Sequence, residues 1–298
     1  MTHSFSIVVP VYNSSDSLSV LCEKSFKTFV NDEVEIILVD DGSNQSTWEQ
    51  IKNLKIQYSD KIKGIRLSKN FGQHNATLCG INHATKKYIV TIDDDLQYLP
   101  ESIPLLHQTL LEGNFDVVYG LPLVKKQSPI RIWSLQILYA IAWLLDEKVP
   151  KTSAFRLMKR ELAHHLKSYK LYYVIIDVVL SWYSTKIGYC EVPHYSRTGN
   201  RSGYSTWRLM KMTMKSVIAY SAIPYKIFIG SFVLAGLIFS SSALYYFMSG
   251  ELSIEILVAI LAFLSVLFTL GFGLLFAYLY HIAGYMGNKP LYLIAEEV

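Results

Sequence analysis

The stretch Glu35–Ser43, EIILVDDGS, decides how the rest of the chain is read. Ile36, Ile37, Leu38 and Val39 form an unbroken apolar run, the pattern of a strand covered on both faces rather than on one. It stops at Asp40-Asp41-Gly42-Ser43, residues that favour a turn. The same pattern recurs outward in both directions. Phe5–Val11 (FSIVVPV) is a β-rich run followed by the turn residues Asn13–Asp16, and Leu18–Phe29 has helical spacing. Downstream, Ser46 is placed as the N-cap of a helix through Tyr58, Ile62–Leu67 is a third strand, and Gln73–Thr85 is helical. Tyr88–Ile92 is a fourth strand ending in Asp93-Asp94-Asp95, followed by a helix from about Pro100 to Glu112 and a strand Asp116–Tyr119. Strands alternating with helices predict an α/β fold with a mostly parallel, Rossmann-like sheet flanked by helices. Ligands of such sheets bind outside the carboxyl ends of the strands, and two of those ends here are carboxylate clusters.

The whole-chain averages hide a second region. Of 298 residues, 51% are hydrophobic and only 17% charged, against about 25% charged in ordinary soluble domains. Disorder, a collagen-like repeat and a small disulfide scaffold are excluded. Twenty-eight Lys and Arg against 24 Asp and Glu leave a net charge of +4, too small to imply a nucleic-acid partner. Cys22, Cys79 and Cys190 are widely spaced and read as reduced, buried thiols. The apolar excess lies at the end of the chain: neither Ile227–Gly250 nor Ile256–Asn288 contains an Asp, Glu, Lys or Arg. A bilayer core needs roughly 20 apolar residues in helical form, so spans are expected at about 227–248 and 256–280.

Between Glu191 and Glu251 there are no acids, but there are Arg197, Arg201, Arg208, Lys211, Lys215 and Lys226. The positive-inside rule then places the N-terminal part, residues 1–223, in the cytoplasm, the connection with Glu251 and Glu255 outside, and a tail of 289–298 inside. Gly230 and Gly236, with Ser240–Ser242, are candidates for close approach of the two spans. Residues 1–13 lack a basic leader, so no secretory signal is expected. Ile132–Leu145 is apolar but too short to span, and reads either as an interfacial helix near 130–145 or as a core helix. A second interfacial helix is expected near 203–221.

Asp93 and Asp95 lie on one face of an extended segment while Asp94 points elsewhere. Hard oxygen donors suit Mg²⁺ or Mn²⁺, although a solvated acidic turn has the same sequence. At the second strand, Asp40 or Asp41 could accept hydrogen bonds from a ribose or base, and a plain turn fits equally. No GxGxxG follows the first strand and no GxxxxGK[ST] occurs, which disfavours a dinucleotide oxidoreductase or a P-loop NTPase.

Taken in order, VVPVYN (Val8–Asn13), EIILVDDGS (Glu35–Ser43), LSKNFGQHNA (Leu67–Ala76), IDDDLQ (Ile92–Gln97), DVVYG (Asp116–Gly120), FRLMKR (Phe155–Arg160) and SRTGNRSGYS (Ser196–Ser205) resemble the family-two glycosyltransferases of GT-A fold. More narrowly they resemble the polyprenyl-phosphate glycosyltransferases, the group that includes dolichyl-phosphate mannose synthase and the bacterial O-antigen glucosyl carriers with two C-terminal spans. The resemblance implies that Pro10, Tyr12, Asn13, Asp40, Asp41 and Asp93 bind the nucleotide. It implies that Asp93, Asp95 and Gln97 hold Mg²⁺ or Mn²⁺ on the donor diphosphate, and that Asp95 and Arg156 belong to the catalytic centre. Arg197, Arg201 and Ser205 would receive the acceptor phosphate, the two arginines also acting in catalysis.

Two departures from the family pattern stand out. Ser153-Ala154 replaces a Gly-Asp pair whose carboxylate is assigned in many relatives as a catalytic base or an acceptor-site carboxylate, and Thr206 replaces a frequent Lys. The activity implied is inverting, metal-dependent transfer of one sugar from a nucleotide diphosphate to a polyprenyl phosphate in the cell inner (plasma) membrane. The alternatives are transfer to another lipid-linked or saccharide acceptor, and a membrane-anchored sugar-nucleotide binder without turnover, the latter motivated by Ala154. A homo-oligomer through the spans is compatible with the sequence.

Overall fold

A computed structural model describes residues 3–14, 16–123, 152–167, 175–196, 223–249, 254–286 and 290–298. The chain divides into two compact units. The first is built on a sheet of β1 (Ser4–Val11), β2 (Glu33–Asp40), β3 (Ile62–Leu67), β4 (Tyr88–Thr91), β5 (Val117–Pro122), β6 (Arg156–Lys159), β7 (Ile187–Val192) and β8 (Ile294–Glu297), in spatial order β7-β5-β6-β4-β1-β2-β3-β8. Its described helices are α1 (Asp16–Thr28), α2 (Gln45–Tyr58), α3 (Gln73–His83), α4 (Ile103–Glu112), α5 (Arg160–Lys167) and α6 (Ile176–Tyr183).

The apolar runs form strands because both faces of the sheet are covered. Along β1, Ile7 and Val9 pack with Leu18, Leu21 and Trp48 on one side, while Val8 between them joins Ile37 and Leu78 on the other. Successive side chains therefore enter separate cores, so no polar alternation can appear in the sequence. The three cysteines are free and buried. β1 runs parallel to β2 and β4, and β2 to β3. The sheet as a whole is mixed, because β6 runs antiparallel to both neighbours, β4 and β5. Its register aligns Thr91, Arg156 and Tyr119 in one row across β4, β6 and β5.

Two local details differ from the sequence reading. The cap of α2 is Asn44, whose Oδ1 accepts from the Thr47 amide at 3.1 Å, while Ser46 donates to the same oxygen at 2.9 Å. Asn44 wins because it holds extended backbone (φ −63°, ψ 165°) while Ser46 already lies inside the helix. The residues expected to form a C-terminal tail instead supply β8, antiparallel to β3. Gly64 and Val298 exchange both backbone hydrogen bonds, at 3.0 and 2.9 Å. A Cβ at Gly64 would come within 2.6 Å of Ile51 and 2.7 Å of Val298, so the glycine lets α2 and the returning chain close over β3.

The second unit contains α7 (Ile223–Ser249) and α8 (Ile254–Met286). Segments Tyr225–Met248 and Leu257–Tyr280, 24 residues each, are long and apolar enough to cross a membrane. The helices touch where Phe232 meets Phe268 edge-on at 5.3 Å between ring centroids. The close-packed glycine is Gly271, against Phe228 and Phe232. Gly230 and Gly236, expected at this contact, have no atom within 4 Å of where a Cβ would stand, and Ser241 and Ser242 donate to carbonyls of their own helix. Small size alone did not reveal which side of the helix faces its neighbour. The expected interfacial helices near 130–145 and 203–221 lie outside the described residues.

Candidate active site

The carboxyl ends of β1, β2 and β4 converge because β1 lies between the other two. Pro10 is buried in register with Val39, and Val11 with Asp40. Beyond β1 the backbone turns at Asn13 (φ 51°). The Asn13 amide donates to Ser43 Oγ at 2.9 Å, and its Oδ1 accepts from the Asn44 amide at 3.0 Å, stitching the first two strand ends together. Tyr12 and Asn13 are exposed at this junction.

Asp40 and Asp41 are buried and organise the loops from within. Asp40 Oδ1 accepts from the Ser43 amide at 2.8 Å, while Oδ2 accepts no hydrogen bond and faces Arg66 Nε at 3.4 Å. Asp41 accepts from the Phe71 and Gly72 amides at 2.7 and 2.9 Å, fixing the approach to α3. Burial pushes the Asp41 carboxyl up to about 6 against the pull of those two amides. Gly42 is required directly after them: its φ is +71°, and a Cβ would lie 2.5 Å from the backbone of Lys69.

At the end of β4, Asp93 Oδ1 accepts from Gln73 Nε2 at 2.6 Å, and Asp95 Oδ1 from the Gln97 amide at 3.1 Å. The Gln97 carbonyl accepts from the Tyr195 amide at 2.9 Å. Burial, then the neighbouring Asp95 and Asp94, push the Asp93 carboxyl up to about 7, with Arg156 and Gln73 opposing. A carboxylate crowded by two others is a site where a cation is favourable. Among the described residues no group of three or more His, Cys, Asp or Glu side chains is gathered to enclose a metal. Asp93 and Asp95 instead fit the hard divalent cations that take one or two protein carboxylates and complete their shell with substrate phosphates.

Arg156 is buried behind this turn. Its Nε donates to Thr91 Oγ1 at 3.0 Å, its Nη1 donates to Asp177 Oδ1, and Thr91 Oγ1 donates to the Ala154 carbonyl at 2.6 Å. Tyr119 stands opposite Arg156 in the same row, and burial, then the neighbouring Asp177, raises its phenol. Burial, reinforced by Arg156, holds the His74 imidazole down at about 4 and therefore neutral. The site residues expected on β1, β2, β4 and β6 thus fall into one region. Arg197, Arg201 and Ser205 lie outside the described residues. Thr91 and Asp177 lie in none of the quoted motifs, and Tyr119 lies inside DVVYG without an assigned role. His74 lay inside a quoted motif without an assigned role.

A mixed sheet of this order with acidic strand ends is a GT-A fold. The chain belongs to glycosyl transferase family 2, whose pattern matches residues 6–174. It is 27% identical over 308 residues to an uncharacterized glycosyltransferase of Synechocystis sp., covering 99% of this chain and 96% of that one. It is 28% identical over 311 residues to the undecaprenyl-phosphate 4-deoxy-4-formamido-L-arabinose transferase of Pectobacterium carotovorum, covering 98% and 93%. The fold is shared with glucosyl-3-phosphoglycerate synthase of Mycobacterium tuberculosis, crystallised with Mn²⁺, UDP-glucose and phosphoglyceric acid. That match has a TM-score of 0.53, 17% identity, and covers 72% of this chain and 78% of the other.

Proposed function

We propose that this glycosyltransferase moves one sugar from a nucleotide diphosphate to a polyprenyl phosphate at the plasma membrane, with its sheet unit on the cytoplasmic side. The observation that carries the reading is the presence in one chain of the crowded Asp93–Asp95 turn and two helices of bilayer length. The first is a place for a donor diphosphate with its cation. The second anchors the enzyme in the phase where a polyprenyl acceptor dissolves. The Pectobacterium relative, matched along nearly its whole length, carries an undecaprenyl-phosphate transferase name, which agrees with this acceptor class.

Tyr12 and Asn13, exposed where the first two strands end, would line the nucleoside, and Asp40 and Asp41 would hold their loops in place. Asp93 and Asp95 would hold Mg²⁺ or Mn²⁺, which when bound neutralises charge on the departing diphosphate. Arg156 places a buried positive charge behind the same turn. A phosphate monoester has a second pKa near 6, so a lipid phosphate is already largely anionic at neutral pH. Its oxygen then needs little help from a general base, which accommodates Ala154. Arg197, Arg201 and Ser205 would receive that phosphate, and the family resemblance implies inversion at the sugar carbon. The basic run before α7, free of acids, supports the cytoplasmic placement.

The test uses purified membranes, added polyprenyl phosphate and a panel of sugar nucleotides, with mass spectrometry of the lipid product. Asp93→Ala and Asp95→Ala are expected to lower transfer by at least about 100-fold. Full metal-dependent transfer by either variant overturns the metal assignment. Nucleotide diphosphate release that does not depend on added lipid phosphate overturns the acceptor.

A further inference from the structure

Asp177 has no part in the mechanism above, yet it is a carboxylate buried inside the catalytic unit. It enters from the first turn of α6, with 8% of its surface exposed, and meets Arg156, which is 2% exposed. The row Thr91–Arg156–Tyr119 explains the meeting. Residues directly opposite in neighbouring strands put their side chains on the same face of a sheet. Tyr119 packs there with Leu78, Leu166 and Val179, so α3, α5 and α6 cover that face. The guanidinium is thereby surrounded by the Thr91 hydroxyl, the Tyr119 phenol and the Asp177 carboxylate, with a neutral His74 beside them.

Arg156 has two carboxyl groups in its neighbourhood. It donates to Asp177, and its Nε bond to Thr91 at 3.0 Å holds it two residues short of Asp93 at the end of β4. A buried guanidinium without a partner is costly and takes whatever carboxylate it can reach. Asp93 is the first carboxylate beyond Thr91, with Asp94 and Asp95 directly after it. We infer that Asp177 is a positioning residue that holds Arg156 against Thr91 and Tyr119, keeping the guanidinium from closing onto Asp93 and leaving the acidic turn open to a divalent cation. The inference rests on Asp93 and Asp95 being metal ligands, as proposed above. A purely structural salt bridge predicts that loss of Asp177 costs stability alone; the positioning role predicts that metal affinity falls and is restored when Arg156 is removed as well.

The experiment is Mn²⁺ titration by electron paramagnetic resonance on the full-length detergent-purified protein with nucleoside diphosphate, with melting temperatures measured on the same samples. Wild type is expected to bind Mn²⁺, Asp177→Asn to bind at least about 10-fold more weakly, and Asp177→Glu to stay close to wild type. The double variant Asp177→Asn/Arg156→Gln is expected to regain affinity to within about 3-fold of wild type. Equal Mn²⁺ affinity in wild type and Asp177→Asn overturns the positioning role while leaving the metal reading intact. If Asp177→Asn does not fold, a double variant that folds and binds about 10-fold more weakly than wild type overturns it. Wild-type protein that takes up no Mn²⁺ overturns the metal reading and this inference with it.

Discussion

Ile7, Val8 and Val9 of β1 are wholly shielded from solvent, whereas Leu237 and Phe239 of α7 and Phe276 of α8 leave 63%, 63% and 67% of their surface open. The same kinds of side chain drive both regions, but only in the sheet does the protein itself cover them. Fully buried strands lose polar alternation because each face packs against helices. A helix apolar all round has no stripe to bury, and its surroundings must be apolar instead. High hydrophobicity thus marks a core in the sheet unit and, on the two long helices, a surface that the protein itself leaves uncovered.

The widest test of that contrast is truncation of matched residues. Leu38→Ala, in the centre of the sheet, is expected to cost about 2–5 kcal/mol, whereas Phe276→Ala should stay within about 0.5 kcal/mol of wild type in detergent. Thermal unfolding followed separately for the two units measures both, and equal losses would break the comparison. A charge is the next probe. Leu237→Lys should cost about 2.5–3.5 kcal/mol of insertion and shift protein out of the membrane fraction. Val30→Lys, at a site 77% exposed in the sheet unit, should leave both yield and stability unchanged. Normal membrane insertion of Leu237→Lys would end the reading of α7 as a span.

A third test uses pH. Asp41 titrates at about 6 in the folded protein against an ordinary 3.8. The unfolded chain therefore loses that proton first as pH rises, and the folded unit loses about 2–3 kcal/mol between roughly pH 4 and 6. Asp41→Asn should flatten this part of the stability profile relative to wild type; an unchanged slope would assign the burial penalty elsewhere. The smallest effect concerns the segment that returns from the helices to the sheet. Tyr292 Oη accepts from Asn82 Nδ2 at 2.9 Å, so Tyr292→Phe should lower the stability of the sheet unit by about 0.5–1.5 kcal/mol. A larger loss in denaturant melts would mean that the returning segment holds the unit more strongly than this one bond does.

What the sequence made legible follows from the same contrast. β1 to β4 were readable because each is a compact apolar run ending in turn residues, and α7 and α8 because charge is absent over bilayer length. β6 was not readable: Arg156–Lys159 is short and flanked by charge, with Leu157 and Met158 serving opposite cores. β8 was hidden further, since Ile294–Glu297 is exposed and acidic and gains its order from β3, whose Lys63 faces Glu297 at 3.2 Å. The acidic turn at Asp93 was visible as a motif. The cluster behind it was not, because Asp177 lies in an apolar helix with no marker of its own, and only the register of β4, β6 and β5 brings Arg156 to it.

The position of β8 in the chain carries a consequence for biosynthesis. β3 and β8 are neighbours in one sheet, yet both membrane-length helices are translated between them. While those helices are being made, the edge of β3 keeps unpaired amide and carbonyl groups. It is closed when Ile294–Glu297 pairs with it, and on the proposed two-span reading that return takes an even number of crossings. A chain with one failed crossing would deliver the strand to the wrong compartment and leave the edge open. On the proposed two-span reading, completion of the sheet thus depends on both helices having been threaded through the bilayer.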